Sequence, residues 1–319
     1  MKILITGGAG FIGSHLSDYL LQNGHEVVII DNLSTGKFAN IAHLTSNDRF
    51  RYHIDTILNR AKLEELIEQC DQVYHLAAAV GVKYIIDNPL LALQTNIGGT
   101  ENVLELANVY KKKVLLTSTS EIYGKSEKVP FSEEDDRLLG STHISRWGYS
   151  ASKAIDEFLA LAYHREKKLP VVIVRCFNTV GPRQTGQYGM VIPKFVHNAL
   201  LGHPLTVYGN GKQSRCFTDV ADVVGGLVNL MACKKAEGQI FNIGSEEEIT
   251  IEELAKKVKK LTGSSSKIDF IKYEDAYEAG FEDMIRRMPD ITKIKTYIGY
   301  KPQYTLEMIL QRVIQYYEK

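Results

Sequence analysis

Lys2-Ile3-Leu4-Ile5-Thr6-Gly7-Gly8-Ala9-Gly10-Phe11-Ile12-Gly13 is the stretch whose reading decides the fold. Lys2 to Thr6 is a short apolar, β-branched run and reads as a strand. Phe11 to Asn23 comes next with Phe11, Ile12, Leu16, Tyr19 and Leu20 at helical spacing, and Gly24 stops that helix. Between the two, Gly7, Gly10 and Gly13 give a tight turn, close approach of backbone to a pyrophosphate, and close helix–strand packing. The helix N-terminus adds N–H groups and the positive end of its dipole. His25 to Ile30 reads as a second strand, ended by Asp31. A carboxylate there can accept both hydroxyls of an adenosine ribose and would repel a 2′-phosphate. The expectation is a dinucleotide site that takes NAD rather than NADP, with Lys37 nearby as the opposing charge.

Strand and helix patterns keep alternating outward from that turn. Leu63 to Gln69 reads as helix, Gln72 to Ala77 as strand, Pro89 to Tyr110 as helix and Lys113 to Thr117 as strand. A long helix over Tyr149 to Lys168 and a strand over Val171 to Phe177 complete the series. This alternation predicts right-handed βαβ units and an α/β fold with a Rossmann-type, doubly wound parallel sheet. Near-continuous apolar runs such as Val27-Val28-Ile29-Ile30 and Val171-Val172-Ile173-Val174 suit strands buried on both faces. Past Asn178 the texture becomes richer in Gly, Pro and polar residues. The expected organisation is a dinucleotide-binding domain over residues 1–177, regained at about 219–243. A smaller, discontinuous α+β substrate lobe falls within 178–319, with the ligand in the cleft between the lobes.

Composition narrows the function. The chain has 319 residues, 44% apolar and 24% charged, which is ordinary globular composition. Its 38 Lys and Arg balance 38 Asp and Glu, so no basic footprint for nucleic acid exists. No run approaches a membrane-spanning length, and the N-terminus has no signal-peptide core, so the expectation is a cytoplasmic protein. Cys70, Cys176, Cys216 and Cys233 lack metal or redox spacing, and the nine His form no ligand motif. No metal is expected.

Tyr149-Ser150-Ala151-Ser152-Lys153 supplies the chemistry. Residues four apart share a helical face, so the Lys153 ammonium can sit beside the Tyr149 phenol and, with a positive nicotinamide, lower its pKa towards the working pH.

With both motifs present, the chain resembles an extended short-chain dehydrogenase/reductase of the nucleotide-sugar epimerase, dehydratase and decarboxylase family. Further matches are Tyr74-His75-Leu76-Ala77-Ala78, Thr95 to Thr100, Ser118 to Gly124, Arg175 to Arg183 and Val207 to Gly211. The resemblance spans essentially the whole chain and implies positions for the ligands. Phe11 and Ile12 would join the glycine turn around NAD, with Asn32, Ser34 and Gly36 beside Asp31. Asp55 and Thr56 would lie at the adenine, and Leu76, Ala77, Ala78, Thr95 and Thr117 along the groove. Thr119 would align the sugar hydroxyl that Tyr149 deprotonates. Asn178 and Arg215 would hold the diphosphate, Val207 and Tyr208 would lie near a uracil, and Val82, Lys83, Val191 and Arg287 would complete the UDP-sugar site, with Arg287 either reaching a phosphate or making an inter-lobe salt bridge. Lys83 faces either the sugar or water. Helices at Pro89 to Tyr110 and Tyr149 to Lys168 resemble those of a family homodimer interface.

The fate of the sugar after oxidation at carbon 4 turns on Ser120-Glu121. Plain 4-epimerisation needs no carboxylate. Dehydratases of the family place Asp-Glu here, and a serine hydroxyl is a poor general acid. Ser-Glu resembles the UDP-glucuronate decarboxylases, as do Arg146 and Met288-Pro289-Asp290, whereas the segment from Tyr149 to Lys153 reads like the epimerases. The sequence favours a UDP-hexose epimerase, with Glu121 able to take a carbon-5 proton. UDP-glucuronate decarboxylase or sugar dehydratase is the alternative, and a non-catalytic NAD-binding regulator is the alternative from another class.

Overall fold

The structure, a computed structural model, describes residues 1–81, 85, 87–186, 190–272, 275 and 284–318. Strand β1 (Lys2–Thr6) sends Ile3 and Ile5 to one face of the central sheet and Leu4 to the other. Strands β2 (Glu26–Asp31), β3 (Phe50–Ile54), β4 (Gln72–His75), β5 (Lys113–Thr119) and β6 (Val171–Cys176) come next along the chain. With Gln239–Ile243 they form seven strands, ordered Gln239–Ile243, β6, β5, β4, β1, β2, β3, every neighbouring pair parallel. This is the doubly wound sheet that the sequence predicts. On one face Ile5, Ile29, Leu115 and Val174 pack against helix α1 (Phe11–Gln22) and the Val220–Ala232 helix. On the other, Leu4, Ile30, Leu116 and Ile173 pack against helix α2 (Arg60–Gln69), Gly99–Val109 and Arg146–Lys167. Each such buried side chain contributes roughly 1.5–3 kcal/mol, which makes the sheet a rigid support for the loops at its C-terminal edge.

The strand order reverses between β1 and β4, so the chain ends of these two strands open the crevice in which such sheets bind ligands. Gly7 and Leu76 lie there.

A third apolar cluster forms the smaller lobe, with Ile192, Phe195, Leu205, Leu254, Ile309 and Val313 at its centre. Its Ile251–Thr262 helix starts with a reciprocal cap between Thr250 and Glu253. Ile291, Ile294 and Tyr300 return to the core beside the central sheet.

Three local differences from the sequence pattern have physical reasons. β3 falls in a stretch where the pattern marks no element: it is an edge strand, and only Phe50 is buried while Arg51, Tyr52 and Ile54 face solvent. The span Pro89 to Tyr110 is not one regular helix, because a π-turn over Gln94–Gly98 separates Pro89–Leu93 from Gly99–Val109. The polar stretch after Asn210 contains Ser214–Cys216, the middle strand of a small sheet with Glu248–Thr250 and Arg286–Arg287. In that sheet Arg287 lies in register beside Arg215.

Candidate active site

The glycine turn is shaped by close approach. Gly7 has φ +74°, and a Cβ on it would sit 2.8 Å from the Ala77 amide nitrogen. A Cβ on Gly13 would lie 2.2 Å from the Gly7 carbonyl oxygen. No side chain caps α1, so its first N–H groups are left for an anion. Asp31 accepts from the amides of Ala9 at 2.9 Å and Leu33 at 2.8 Å. Burial pushes its carboxyl pKa up while these backbone donors pull it down.

A cleft of about 970 Å³ runs from this turn into the smaller lobe. Gly7, Gly10, Phe11, Ile12, Gly13, Asp31, Asn32 and Ser34 line one end. Asp55, Thr56, Leu76, Ala77, Ala78, Thr95 and Thr117 continue that wall. Gly36 lies outside the lining; a Cβ there would meet the Asp31 carboxylate and the Ala9 carbonyl carbon at 3.0 Å, so it packs beneath the loop. The π-turn presents Thr95 and places Asn96, which accepts from the Ala79 amide at 2.7 Å and donates to the Ser152 hydroxyl at 3.1 Å. That side chain ties the loop after β4 to the long Arg146–Lys167 helix.

Thr119, Ser120 and Glu121 at the end of β5 meet Tyr149 and Lys153 in the middle of the cleft. The helix begins at Arg146 rather than at Tyr149, which puts both residues in its regular part and on one face. Thr119 hydrogen-bonds the Tyr149 phenol. The protein groups alone do not supply the acidity expected of the phenol beside Lys153 and a positive nicotinamide. Among protein groups, burial raises the Tyr149 pKa, Glu121 raises it further, and the Thr119 bond opposes this only in part. Lys153 instead donates to Asp156 at 2.8 Å, with both side chains buried.

Glu121 is held on both oxygens. Arg287 reaches Oε1 at 2.6 Å, and Arg146 reaches Oε2 at 3.1 Å. Burial raises its carboxyl pKa, but the charges of Arg287, Arg146 and Arg215 win and hold it at about 2. A carboxylate this acidic is a weak base, so the expected role of Glu121 in taking a carbon-5 proton does not fit its surroundings. Ser120 contacts Arg287 at 3.4 Å.

In the smaller lobe, Asn178, Val191, Tyr208, Arg215 and Arg287 line the cleft. Asn178 donates to the Cys216 carbonyl at 2.8 Å. Val207 departs from expectation: it is fully buried in the lobe's apolar core, while Thr206 and Tyr208 line the cleft. Side chains alternate along a strand, so adjacent residues cannot both face the ligand. Val82 and Lys83 lie outside the described residues. Trp147 is buried beneath the Arg146 guanidinium, as a packed aromatic.

Sequence pattern misses Lys194, which lines the cleft and donates to the Tyr208 hydroxyl at 3.1 Å. Its signal is a lone charge in the apolar run Val191-Ile192-Pro193-Lys194-Phe195-Val196. Asp156 escapes the pattern too, although it stands three residues from Lys153. Among the described residues no group of His, Cys, Asp or Glu is placed to hold a metal, and no helix is long and apolar enough to cross a membrane.

Known proteins resemble this chain over its whole length. The family model described as GDP-mannose 4,6 dehydratase matches residues 4–313. The UDP-N-acetyl-alpha-D-glucosaminuronate decarboxylase of Bacillus cytotoxicus is 46% identical over 319 residues, covering 100% of this chain and 98% of that protein. UDP-glucuronic acid decarboxylase 1 of Xenopus tropicalis is 39% identical, over 100% of this chain and 72% of that one. The crystal structure of UDP-glucuronic acid 4-epimerase from Bacillus cereus, in complex with UDP-glucuronic acid and NAD, superposes with a TM-score of 0.90. It is 33% identical and covers 100% of this chain and 99% of that one. The chain belongs to the GDP-mannose 4,6-dehydratase-like family of extended short-chain dehydrogenases/reductases, the enzymes that epimerise, dehydrate or decarboxylate nucleotide sugars.

Proposed function

We propose that this protein is an NAD-dependent decarboxylase of a UDP-hexuronate that works through a transient 4-keto sugar. The observation that carries this reading is the Glu121 clamp. Arg146 and Arg287, with Arg215 beside them, surround one weakly basic carboxylate in the cleft. Such a cluster suits a substrate carboxylate and offers no strong base to carbon 5. Both decarboxylase relatives act on uronates by name, and the more similar one acts on the N-acetylated sugar. That moves the balance from the hexose epimerase favoured by sequence to uronate decarboxylation.

The residues present fit NAD: the glycine cradle admits no Cβ, and Asp31 stands where the adenosine ribose hydroxyls would meet it. A bound nicotinamide supplies the hydride acceptor and a positive charge. Thr119 orients the carbon-4 oxygen, and Tyr149 Oη takes its proton as the hydride leaves. Arg146 and Arg287 hold the uronate carboxylate so that its bond to carbon 5 aligns with the new carbonyl. The bond's electron pair then flows into the ketone, carbon dioxide departs and an enolate forms. Carbon 5 gains a proton from solvent water, the hydride returns to carbon 4, and Tyr149 gives its proton back to the oxygen. Asn178 and Arg215 hold the diphosphate in this reading, with Tyr208 at the uracil.

A 4-epimerase of the same uronate is the second reading, favoured by the likeness to the Bacillus cereus structure. Exposed Leu90 and Leu91 on the Pro89–Leu93 helix, with Ile155 and Phe158 on the Arg146–Lys167 helix, support a homodimer. Four free cysteines suit the cytoplasm. The test is incubation with UDP-N-acetylglucosaminuronate and with UDP-glucuronate, the products read by NMR. Decarboxylation gives a UDP-pentose with a carbon-5 methylene. A product keeping its carboxylate, with carbon 4 inverted, would establish the second reading instead.

A further inference from the structure

Lys194 is a cation in an apolar place. It stands near the start of the Val191–Leu200 helix, whose Ile192, Phe195, Val196 and Ala199 are buried in the smaller lobe. Its own side chain lines the cleft. The chain before the helix closes on it: a Cβ on Gly186 would lie 3.1 Å from the Lys194 amide nitrogen and 3.4 Å from its Cβ. The ammonium donates to the Tyr208 hydroxyl at 3.1 Å and lies 5.2 Å from the centre of that ring. These two distances put the charge beyond the hydroxyl, at the edge of the ring.

Lys153, Arg183 and Arg287 also line the cleft, and each is paired with a carboxylate, those of Asp156, Asp18 and Glu121. Among the described residues no carboxylate pairs with Lys194. An ammonium has three donors, and the Tyr208 hydroxyl takes one. The place of Lys194 along the cleft says what the others meet. A nucleotide sugar with its sugar at Tyr149 and its diphosphate at Arg215 sends its base to the part lined by Thr206, Tyr208 and Gln213. Gln213 donates to the Tyr208 carbonyl at 2.8 Å, so Tyr208 is tied at its backbone as well as at its hydroxyl. A ring fixed in this way is a stacking platform, and every base has a face to stack. Selection falls to the group at the ring's edge. Uracil carries a carbonyl oxygen at carbon 4, where cytosine carries an amino group. An ammonium donates to the first and can only repel the second.

We propose that Lys194 is a specificity-determining residue that reads the carbon-4 carbonyl of the pyrimidine, so that the site takes uridine rather than cytidine diphosphate sugars. The Tyr208 hydroxyl holds the ammonium at the edge of the platform. Cytosine in the same position would leave that ammonium facing another donor, which is how a polar site rejects a near-isostere. The inference rests on the reading of the cleft as a UDP-sugar site with Tyr208 at the uracil, and not on the fate of the uronate.

The test measures binding of UDP, CDP and inorganic pyrophosphate to the NAD-loaded protein by calorimetry. The native protein is expected to prefer UDP over CDP by about tenfold or more, the size of one hydrogen bond to a charged group. Lys194→Met keeps most of the side chain's length and removes its charge. It is expected to weaken UDP by about tenfold and to leave CDP and pyrophosphate within about threefold, so that the preference collapses. Tyr208→Phe keeps the ring and removes only the hydroxyl that holds the ammonium. It is expected to narrow the preference by less, and it decides the matter if Lys194→Met does not fold. Were Lys194 a phosphate ligand, UDP, CDP and pyrophosphate would weaken together at an unchanged preference. Were it merely structural, the melting temperature would fall with the preference intact. Either outcome overturns the proposal, as does a native protein that binds CDP as well as UDP. A native protein that binds neither nucleotide overturns the UDP-sugar reading as well, whereas activity on a different UDP-sugar would change the function and leave this inference standing.

Discussion

The two ends of the cleft are built by different means. The dinucleotide end is a matter of backbone: Gly7 and Gly13 let strand, turn and helix touch, and Asp31 is fixed by the amides of its own loop. The sugar end is a matter of side-chain charge brought from afar. Glu121 comes from the end of β5, Arg146 from a helix start, and Arg215 and Arg287 from adjacent strands of a small sheet. Local backbone geometry makes a site that many nucleotide enzymes can share. Assembled charge makes a site whose preference can change by one residue.

Tyr149 stands where the two ends meet, and its loss should separate chemistry from binding. Tyr149→Phe is expected to lower turnover by about 10²- to 10⁴-fold, the range for removing a general acid–base group. NAD and UDP-uronate affinities should stay within a few-fold, because neither the glycine turn nor the arginine cluster is touched. Steady-state kinetics with binding calorimetry would check this, and unchanged turnover would remove Tyr149 from the mechanism.

Arg287→Met tests the sugar end alone. A hydrogen bond to a charged group contributes roughly 1.5–3 kcal/mol, so kcat/KM for the uronate should fall by about ten- to a hundredfold. Affinity for NAD should not move. The same variant alters acid stability. The folded-state pKa of Glu121 is depressed to about 2, so its contribution is fully present above the unfolded carboxylate range and is lost as pH falls towards 2. Removing Arg287 raises that pKa, which shifts the loss to higher pH. Acid unfolding monitored by circular dichroism should therefore begin earlier in the variant; coincident curves would mean that Arg287 does not govern the charge on Glu121.

This contrast also explains what can be read from the sequence. The glycine turn, Asp31 and the Tyr149–Lys153 pair are legible because each is set by neighbours within a few residues. β3 is not, since an edge strand carrying Arg51 and His53 lacks an apolar run. Val207 is misplaced at the ligand because the pattern reveals its strand but not its facing. Arg215 and Arg287 are 72 positions apart, and only the strand register sets them side by side. The Lys153–Asp156 pair is within reach of helical spacing. It is hidden by the competing partner Tyr149, which the chemistry of the motif suggests first.

Gly13→Ala tests the backbone end, and here opposing magnitudes decide the sign. Gly13 lies inside α1, where alanine is favoured over glycine by about 0.5–1 kcal/mol. Against this, its Cβ would stand 2.2 Å from the Gly7 carbonyl and 2.8 Å from the Gly8 Cα, both backbone atoms. Relief requires α1 to move off β1, and forcing an extra methyl into a packed contact costs about 1–3 kcal/mol. The net expectation is a loss of about 0.5–2 kcal/mol, a few degrees in Tm for a chain of this size. The same displacement moves the helix N-terminus away from the pyrophosphate, so NAD affinity should fall together with Tm. Uronate recognition, measured as KM at saturating NAD, should hold, because the arginines sit on other elements. A fall in Tm without any change in NAD affinity would show that Gly13 serves packing alone, and that the helix end does not carry the dinucleotide.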